Sequence, residues 1–259
     1  NFGRSTANNT KWSYFGTESN TAFVDLEHQL DNDWKLRAAY SRTEADYAMR
    51  YLFRGGYPDR DNAGMSASFL KYDGERTRDD WHLTSSGPFE LLGRTHEAAF
   101  GWMSIDDDLQ MDQYLPVPGT APIADSRLDW TNGDIAEPVW SNVRANGDRT
   151  DIRQTGGYAV TRLSLADPLH LILGARVSTW KIEQNYFGTQ RNYRYSDEVT
   201  PYAGLVYDLS ETYSVYGSYT DIFQPQQKRD INGKYITPLA PVSDMMRAAL
   251  WNACSELAW

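Results

Sequence analysis

Four histidines, His28, His82, His96 and His170, are the side chains most apt for catalysis or metal binding, and they stand at no metal-ligand spacing. His96 and His170 fall beside short turns, and no serine in an outer loop has a histidine near it in the chain. The run Asp59-Arg60-Asp61-Asn62-Ala63-Gly64 begins like a calcium loop. Ala63 fills its fifth position and Leu70 its twelfth, where an EF-hand needs an oxygen ligand and a glutamate. It reads as a solvated turn. Asp106-Asp107-Asp108 reads as a charge cluster at a strand end. The chain holds 35 Asp and Glu residues, yet nothing pairs them for acid–base work. No glycine-rich phosphate loop, Gly-x-Ser-x-Gly elbow or His-Glu-x-x-His helix occurs. Cys254 is the sole cysteine, so no intrachain disulfide forms. The formal net charge of -10 opposes nucleic-acid phosphates, and no nucleic-acid partner is expected.

What remains is a set of polar and aromatic residues inside strand-like runs. Leu169, Leu171, Leu173, Ala175 and Val177 alternate with His170, Ile172, Gly174, Arg176 and Ser178. Period-2 alternation gives a strand one apolar face and one face that accepts arginine and histidine. The mean hydropathy of -0.63 fits a soluble chain or a β-barrel whose apolar residues are diluted by alternation. No apolar run reaches about 18 residues, so no transmembrane helix is expected. The opening Asn1–Gly16 is polar and reads as no signal peptide.

Long runs come in pairs joined by tight turns. Thr17–Leu30 and Trp34–Phe53 flank Asp31-Asn32-Asp33. Ser66–Leu91 and Thr95–Asp106 flank Gly93-Arg94. Arg149–Leu165 and Leu169–Tyr186 flank Ala166-Asp167-Pro168. Glu198–Leu209 and Tyr213–Gln224 flank Ser210-Glu211-Thr212. The connections between pairs are longer and polar: Arg54–Ala63, Asp107–Asp148, Phe187–Asp197 and Pro225–Lys234. Short turns alternating strictly with long loops are the pattern of an up-and-down barrel in an outer membrane, turns inside and loops outside. A membrane-crossing strand takes about 9–11 residues, and several of these runs are longer. The turn-proximal halves carry the apolar residues. Trp34, Tyr40, Tyr207 and Tyr213 fall near strand ends, where interfacial aromatic girdles sit. The sequence thus predicts an all-β, antiparallel transmembrane barrel segment of about eight strands.

Three stretches carry a resemblance. Thr200–Gln226 (TPYAGLVYDLSETYSVYGSYTDIFQPQ) resembles a hairpin of TonB-dependent siderophore receptors of the ferric-pyoverdine and ferrichrome type. Ser86–Gly101 (SGPFELLGRTHEAAFG), with its Gly-Arg-x-His-Glu turn, is similar to a second hairpin of those barrels, and Gln154–Trp180 to a third. The likeness runs in order from about Trp12 to Pro238. It implies a barrel of about 22 strands, filled by an N-terminal plug. It implies a ferric siderophore as transported ligand, TonB acting through the plug, outer-membrane lipid around the barrel, and a monomer when complete. It implies no bound cofactor, no metal site and no enzymatic activity.

Residues 1–238 then form a partial barrel, with neither plug nor TonB box ahead of Asn1. Residues 239–259 form a divergent, out-of-frame tail, in which Met245, Met246, Ala248, Leu250 and Trp251 lack alternation and suggest a short helix. Eight strands with the curvature of the whole cannot close, so the chain alone is expected not to transport. Within this reading the ligand-binding candidates are Tyr47, Tyr51, Trp130, Trp140, Trp180, Tyr186, Tyr193 and Tyr195, at strand tops or in outer loops, where rings stack on a chelate and cations meet its anionic groups. Arg162 and Arg176 are expected to face the lumen in a structural role, pairing with plug or wall carboxylates. A porin-like channel or a barrel enzyme is the alternative, and the outer membrane of a Gram-negative bacterium is the expected location.

Overall fold

The computed structural model describes residues 10–57, 60, 66–122, 135–225, 231, 239–242 and 251–252. β1 (Tyr14–Gln29), β2 (Lys35–Gly55), β3 (Ser66–Leu91), β4 (Arg94–Pro116), β5 (Trp140–Ala166), β6 (Leu169–Tyr186), β7 (Thr189–Asp208) and β8 (Tyr213–Phe223) form one antiparallel sheet in chain order. β9 (Leu239–Val242) and β10 (Trp251–Asn252) both pair with β8. No helix occurs among the described residues. The all-β, antiparallel expectation holds. Trp251, read with a helix, lies instead in a two-residue strand opposite Ser214. Met245, Met246, Ala248 and Leu250 lie outside the described residues.

Three boundaries differ from the sequence reading. β4 continues past Asp106 to Pro116, so the three consecutive aspartates lie within a strand and not at its end. β5 begins at Trp140, nine residues before Arg149. The expected loop Phe187–Asp197 is a two-residue turn followed by strand, which breaks the strict alternation of short and long connections. The cause is common to all three. Beyond the bilayer both faces of a strand are wet, so the apolar alternation that reveals it disappears while the backbone ladder continues.

Directly opposed residues share a face, so the ladders sort the side chains. The inner face holds Ala45, Met49, Asp107, Asp148, Thr150, Ser178, Trp180 and Ile182, all buried. The outer face is apolar near the short turns. One row of opposed partners there reads Ala38, Leu83, Trp102, Gly157, Val177 and Val199, from β2 to β7. The next row outward begins Tyr40, Trp81, Ser104, Thr155, with the Tyr40 and Trp81 rings 4.4 Å apart. The row after that is Arg42, Asp79, Asp106, Arg153, Lys181 and Arg194, charged on all six strands. Tyr40 therefore sits not near a strand end but at the upper limit of the apolar belt. A belt of lipid-facing residues bounded by aromatics and then charges is what hydrocarbon beside headgroups selects.

Short turns close the belt's lower end. Leu92 and Gly93 both have positive φ, 54° and 73°, as a two-residue type I′ hairpin requires. Trp34 lies over Gly87, where an added Cβ would come within 2.6 Å of the indole. The indole stacks on Phe100 at 6.2 Å and donates its N–H to the Pro88 carbonyl at 2.9 Å.

Candidate functional site: an aromatic chain on the upper inner wall

The turn between β6 and β7 is Phe187-Gly188, with φ of 48° and 87°. Gly adopts this region freely, whereas Phe does so at a cost of about 1–2 kcal/mol. Neighbouring contacts hold the turn. The Gly188 N–H donates to Asn185 Oδ1 at 3.0 Å, and the Phe187 N–H donates to the Gly147 carbonyl at 3.0 Å. This second bond tips the turn onto β5 and presents the Phe187 ring edge-on to Tyr72 of β3, 6.0 Å away.

A chain of rings results. Tyr51 stacks on Tyr72 at 6.2 Å, Tyr72 meets Phe187, and Phe187 meets Tyr186 at 4.9 Å. The Arg191 guanidinium lies 4.6 Å over the Tyr186 ring. The chain thus links β2 and β3 to the β6–β7 turn. Gln113 donates to the Tyr72 hydroxyl at 3.0 Å. Tyr72 stands in the part of β3 that projects past the apolar belt, and burial, with Tyr51 beside it, pushes its hydroxyl up from the ordinary tyrosine value. A second group joins Trp180 to Tyr195 at 6.1 Å and Tyr195 to Phe223 at 5.9 Å.

A polar network underlies these rings. Thr150 donates to Asp148 at 2.8 Å, and Gln184 donates to Thr150 at 2.9 Å and to both Asp148 oxygens at 3.3 Å. Asp148 and Thr150 are buried, as is Ile182, at 2% exposure. This packing fixes the strand tops that present the aromatics.

Of the residues predicted from sequence, Tyr51 and Tyr186 join the first chain, and Trp180 and Tyr195 the second group. Tyr47 and Tyr193 lie on the same inner face, opposite Gly74 and Ile182. Trp140 stands apart: it meets Trp12 edge-on at 6.2 Å and donates to Glu137 at 2.8 Å. Trp12 in turn stacks on Phe69 at 6.1 Å and covers a patch on the other face. Trp130 lies outside the described residues. Sequence reasoning passed over Tyr72, Phe187, Arg191 and Phe223. Gly188 after an aromatic pair was the available signal for a tight turn there.

The inner wall below carries paired charges. Arg76 and Asp107 form a two-point ion pair, and Arg78 pairs with Asp80 at 2.9 Å. Arg162 lies on the inner face, 3.7 Å from Glu97. Arg176 lies on the same face with no carboxylate partner among the described residues. It donates to Ser178 Oγ at 3.0 Å and reaches the Met103 sulfur at 2.7 Å. Its path runs past Gly156, whose added Cβ would stand 3.4 Å from the guanidinium Nε.

His96 accepts from the Ser164 N–H and faces the Leu91 carbonyl, while His170 lies 3.3 Å from Asp208. Among the described residues, neither ring is hydrogen-bonded to a serine hydroxyl. An open groove of about 490 Å³, lined by Thr77, Asp79, Asp106, Asp108, Asp151 and Arg153, lies on the outer face, away from the aromatic rings. The upper inner wall can therefore stack flat conjugated groups and meet anions with cations.

A family described as "TonB dependent receptor-like, beta-barrel" matches residues 1–243. The chain is 34% identical over 239 residues to the ferripyoverdine receptor of Pseudomonas aeruginosa, covering 91% of this chain and 28% of that one. The solved structure of that receptor bound to ferripyoverdine superposes with a TM-score of 0.77 at 32% identity, covering 92% of this chain and 31% of the other. The alcaligin outer-membrane receptor of Bordetella pertussis gives 0.64 at 42% identity, covering 89% and 33%. The chain spans about a third of the length of the relatives it matches. These relatives are outer-membrane receptors of Gram-negative bacteria, and the apolar belt, its aromatic limit and the charged row above it give this chain the same location. The chain belongs to the TonB-dependent receptor β-barrel family.

Proposed function

We propose that this chain forms part of an outer-membrane receptor that binds a ferric siderophore and imports it with energy supplied through TonB. The observation that carries this reading is the aromatic chain Tyr51–Tyr72–Phe187–Tyr186 with Arg191 at its end, on the inner face and past the apolar belt. Rings and a cation there suit a conjugated, anionic iron chelate. Trp180 and Tyr195 line the same wall, and Tyr47 and Tyr193 complete the candidate surface. TonB would act through a plug domain that the lumen-facing Arg162 and Arg176 help to seat. Arg176 supports this role, since its guanidinium is held by neutral partners and is open to a carboxylate.

The chain carries no bond-making step in this reading. The ferric chelate is cargo, the assembled receptor is a monomer in outer-membrane lipid, and residues 239–259 are a divergent tail. Reading the neighbouring DNA checks the tail: a receptor-like reading frame in another phase beyond it is expected, and a normal stop with no such frame refutes it.

A chimaera tests the function. Tyr14–Phe223 replaces the matching segment of the Pseudomonas aeruginosa ferripyoverdine receptor, and cells are given a panel of radio-iron siderophores. Uptake of at least one is expected, with Tyr51→Ala and Tyr186→Ala each weakening its binding about tenfold. A chimaera that sits in the outer membrane yet takes up none, or binds equally well without both rings, overturns the proposal.

A further inference from the structure

Asp148 is a buried carboxylate without a cation. It is 8% exposed, and its side-chain partners are neutral: the Thr150 hydroxyl at 2.8 Å and the Gln184 amide at 3.3 Å. Among the described residues no arginine, lysine or histidine pairs with it. Arg149, next in the chain, belongs to the opposite face and pairs with Asp112 at 2.6 Å. The inner-face arginines Arg76 and Arg191 are held elsewhere, one on Asp107 and the other over the Tyr186 ring. A buried ion is ordinarily paired and fully hydrogen-bonded. A second group here is also short of a partner. The Gln184 side-chain oxygen is buried and receives no hydrogen bond from the described residues. The site therefore lacks both a donor and a positive charge.

The surroundings select what would supply them. Asp148 is opposed by Met111 on β4 and by Tyr186 on β6, and Thr150 and Gln184 form the next rung on the same face. Arg153 carries the charged row on β5, and Asp148 stands about 16 Å farther out along that strand at the ordinary rise. It is thus past the apolar belt and beside the aromatic chain. A water molecule would supply the donor but leave the charge unpaired. An alkylammonium is compact and brings one charge and three donors together. Its methylene stem suits the Met111 thioether and the Tyr186 ring.

We propose that Asp148 and the Gln184 oxygen receive a primary ammonium group carried by the ferric siderophore, while Arg191 meets an anionic group of the same chelate. The inference rests on the siderophore-receptor reading and narrows the cargo to a chelate with a pendant amine. The two opposite charges flank Tyr186, one from β5 and one from β7. They fix which way round the chelate stacks on the rings.

The test uses the chimaera and the radio-iron panel. Each amine-bearing chelate is compared with the same chelate N-acetylated at that amine, which keeps the iron centre and removes the charge. Among the chelates that the chimaera binds, the free amine should bind about tenfold more tightly than its acetylated form. Asp148→Asn, which keeps the shape, should erase that preference by weakening the free-amine form alone. Arg191→Gln should weaken both forms alike and leave their ratio unchanged. Equal binding of the two forms, a preference that survives Asp148→Asn, or binding only of chelates without an amine each overturns the proposal. The comparison on the unaltered chimaera needs no variant, so it still decides if a variant fails to reach the outer membrane. Uptake with equal binding overturns this inference alone, whereas no uptake of any chelate overturns the receptor reading and this inference with it.

Discussion

His96 shows how one side chain can join two hairpins. It is 5% exposed and lies between the β3–β4 turn and the end of β5. The Ser164 N–H donates to Nδ1 at 2.9 Å, so the ring proton is on Nε2, which donates to the Leu91 carbonyl at 3.0 Å. The neutral tautomer is thereby fixed. Replacing His96 with Ala strands a buried N–H and should cost about 1–3 kcal/mol, read as a lower urea midpoint of the folded chimaera in detergent. His96→Gln, which can both accept and donate, should recover part of the loss; equal stability of all three proteins would rule the bridge out. The Gly-Arg-x-His-Glu motif was legible as a turn. The bridge was not, because Ser164 lies 68 residues away in the chain. Arg176 was likewise legible as a residue of the polar face, while its contact with Met103 depends on the space left by Gly156 on the intervening strand.

At the scale of the strands, glycines set where rings can lie. Gly101 of β4 opposes Tyr158 of β5, and an added Cβ would come within 2.1 Å of the Tyr158 ring. Gly157, next to Tyr158, has only one neighbour within range, the Gly101 carbonyl at 3.6 Å. Gly101→Val should therefore displace Tyr158 and cost about 1–3 kcal/mol, whereas Gly157→Ala should change stability by less than about 0.5 kcal/mol. Urea unfolding of the two variants side by side checks the contrast, and equal effects would refute it. The belt portions of β3, β6 and β8 were readable to within a residue or two, because one wet and one lipid-facing side impose period-2 alternation. The outer portions of β4, β5 and β7 were not. Asp107 to Gln113, Trp140 to Asp148 and Thr189 to Asp197 carry polar residues on both faces, and only the ladder holds them as strand. The aromatic chain suffers from a related limit: Tyr51, Tyr72 and Tyr186 stand on strands that were legible, but Phe187 and Arg191, which join and end the chain, lie on a turn and strand hidden within an expected loop.

For the molecule as a whole, the decisive property is that the sheet has edges. Among the described residues β1 pairs only with β2, and the far side is met only by β8 with the short β9 and β10. In hydrocarbon, each unpaired backbone group costs several kcal/mol. In water, the outer belt exposes Val24, Leu26, Trp81, Leu83, Phe100 and Trp102 together. Cells producing this chain alone should accumulate it as aggregate and show no siderophore uptake above background; fractionation and a radio-iron assay measure both, and uptake by such cells would refute the expectation. Closure by further strands would pair the edges, and the bilayer would then cover the belt. The charged row has a last consequence, for assembly. A slip of one residue between any two neighbours from β2 to β7 would turn a whole strand over and drive its carboxylates or guanidinium groups into lipid. A slip of two would keep the faces but draw a base down beside Trp81 or Thr179. Every strand carries its own mark at the same rung, so a mispaired hairpin is rejected by the bilayer itself: the row proofreads the barrel as it is built.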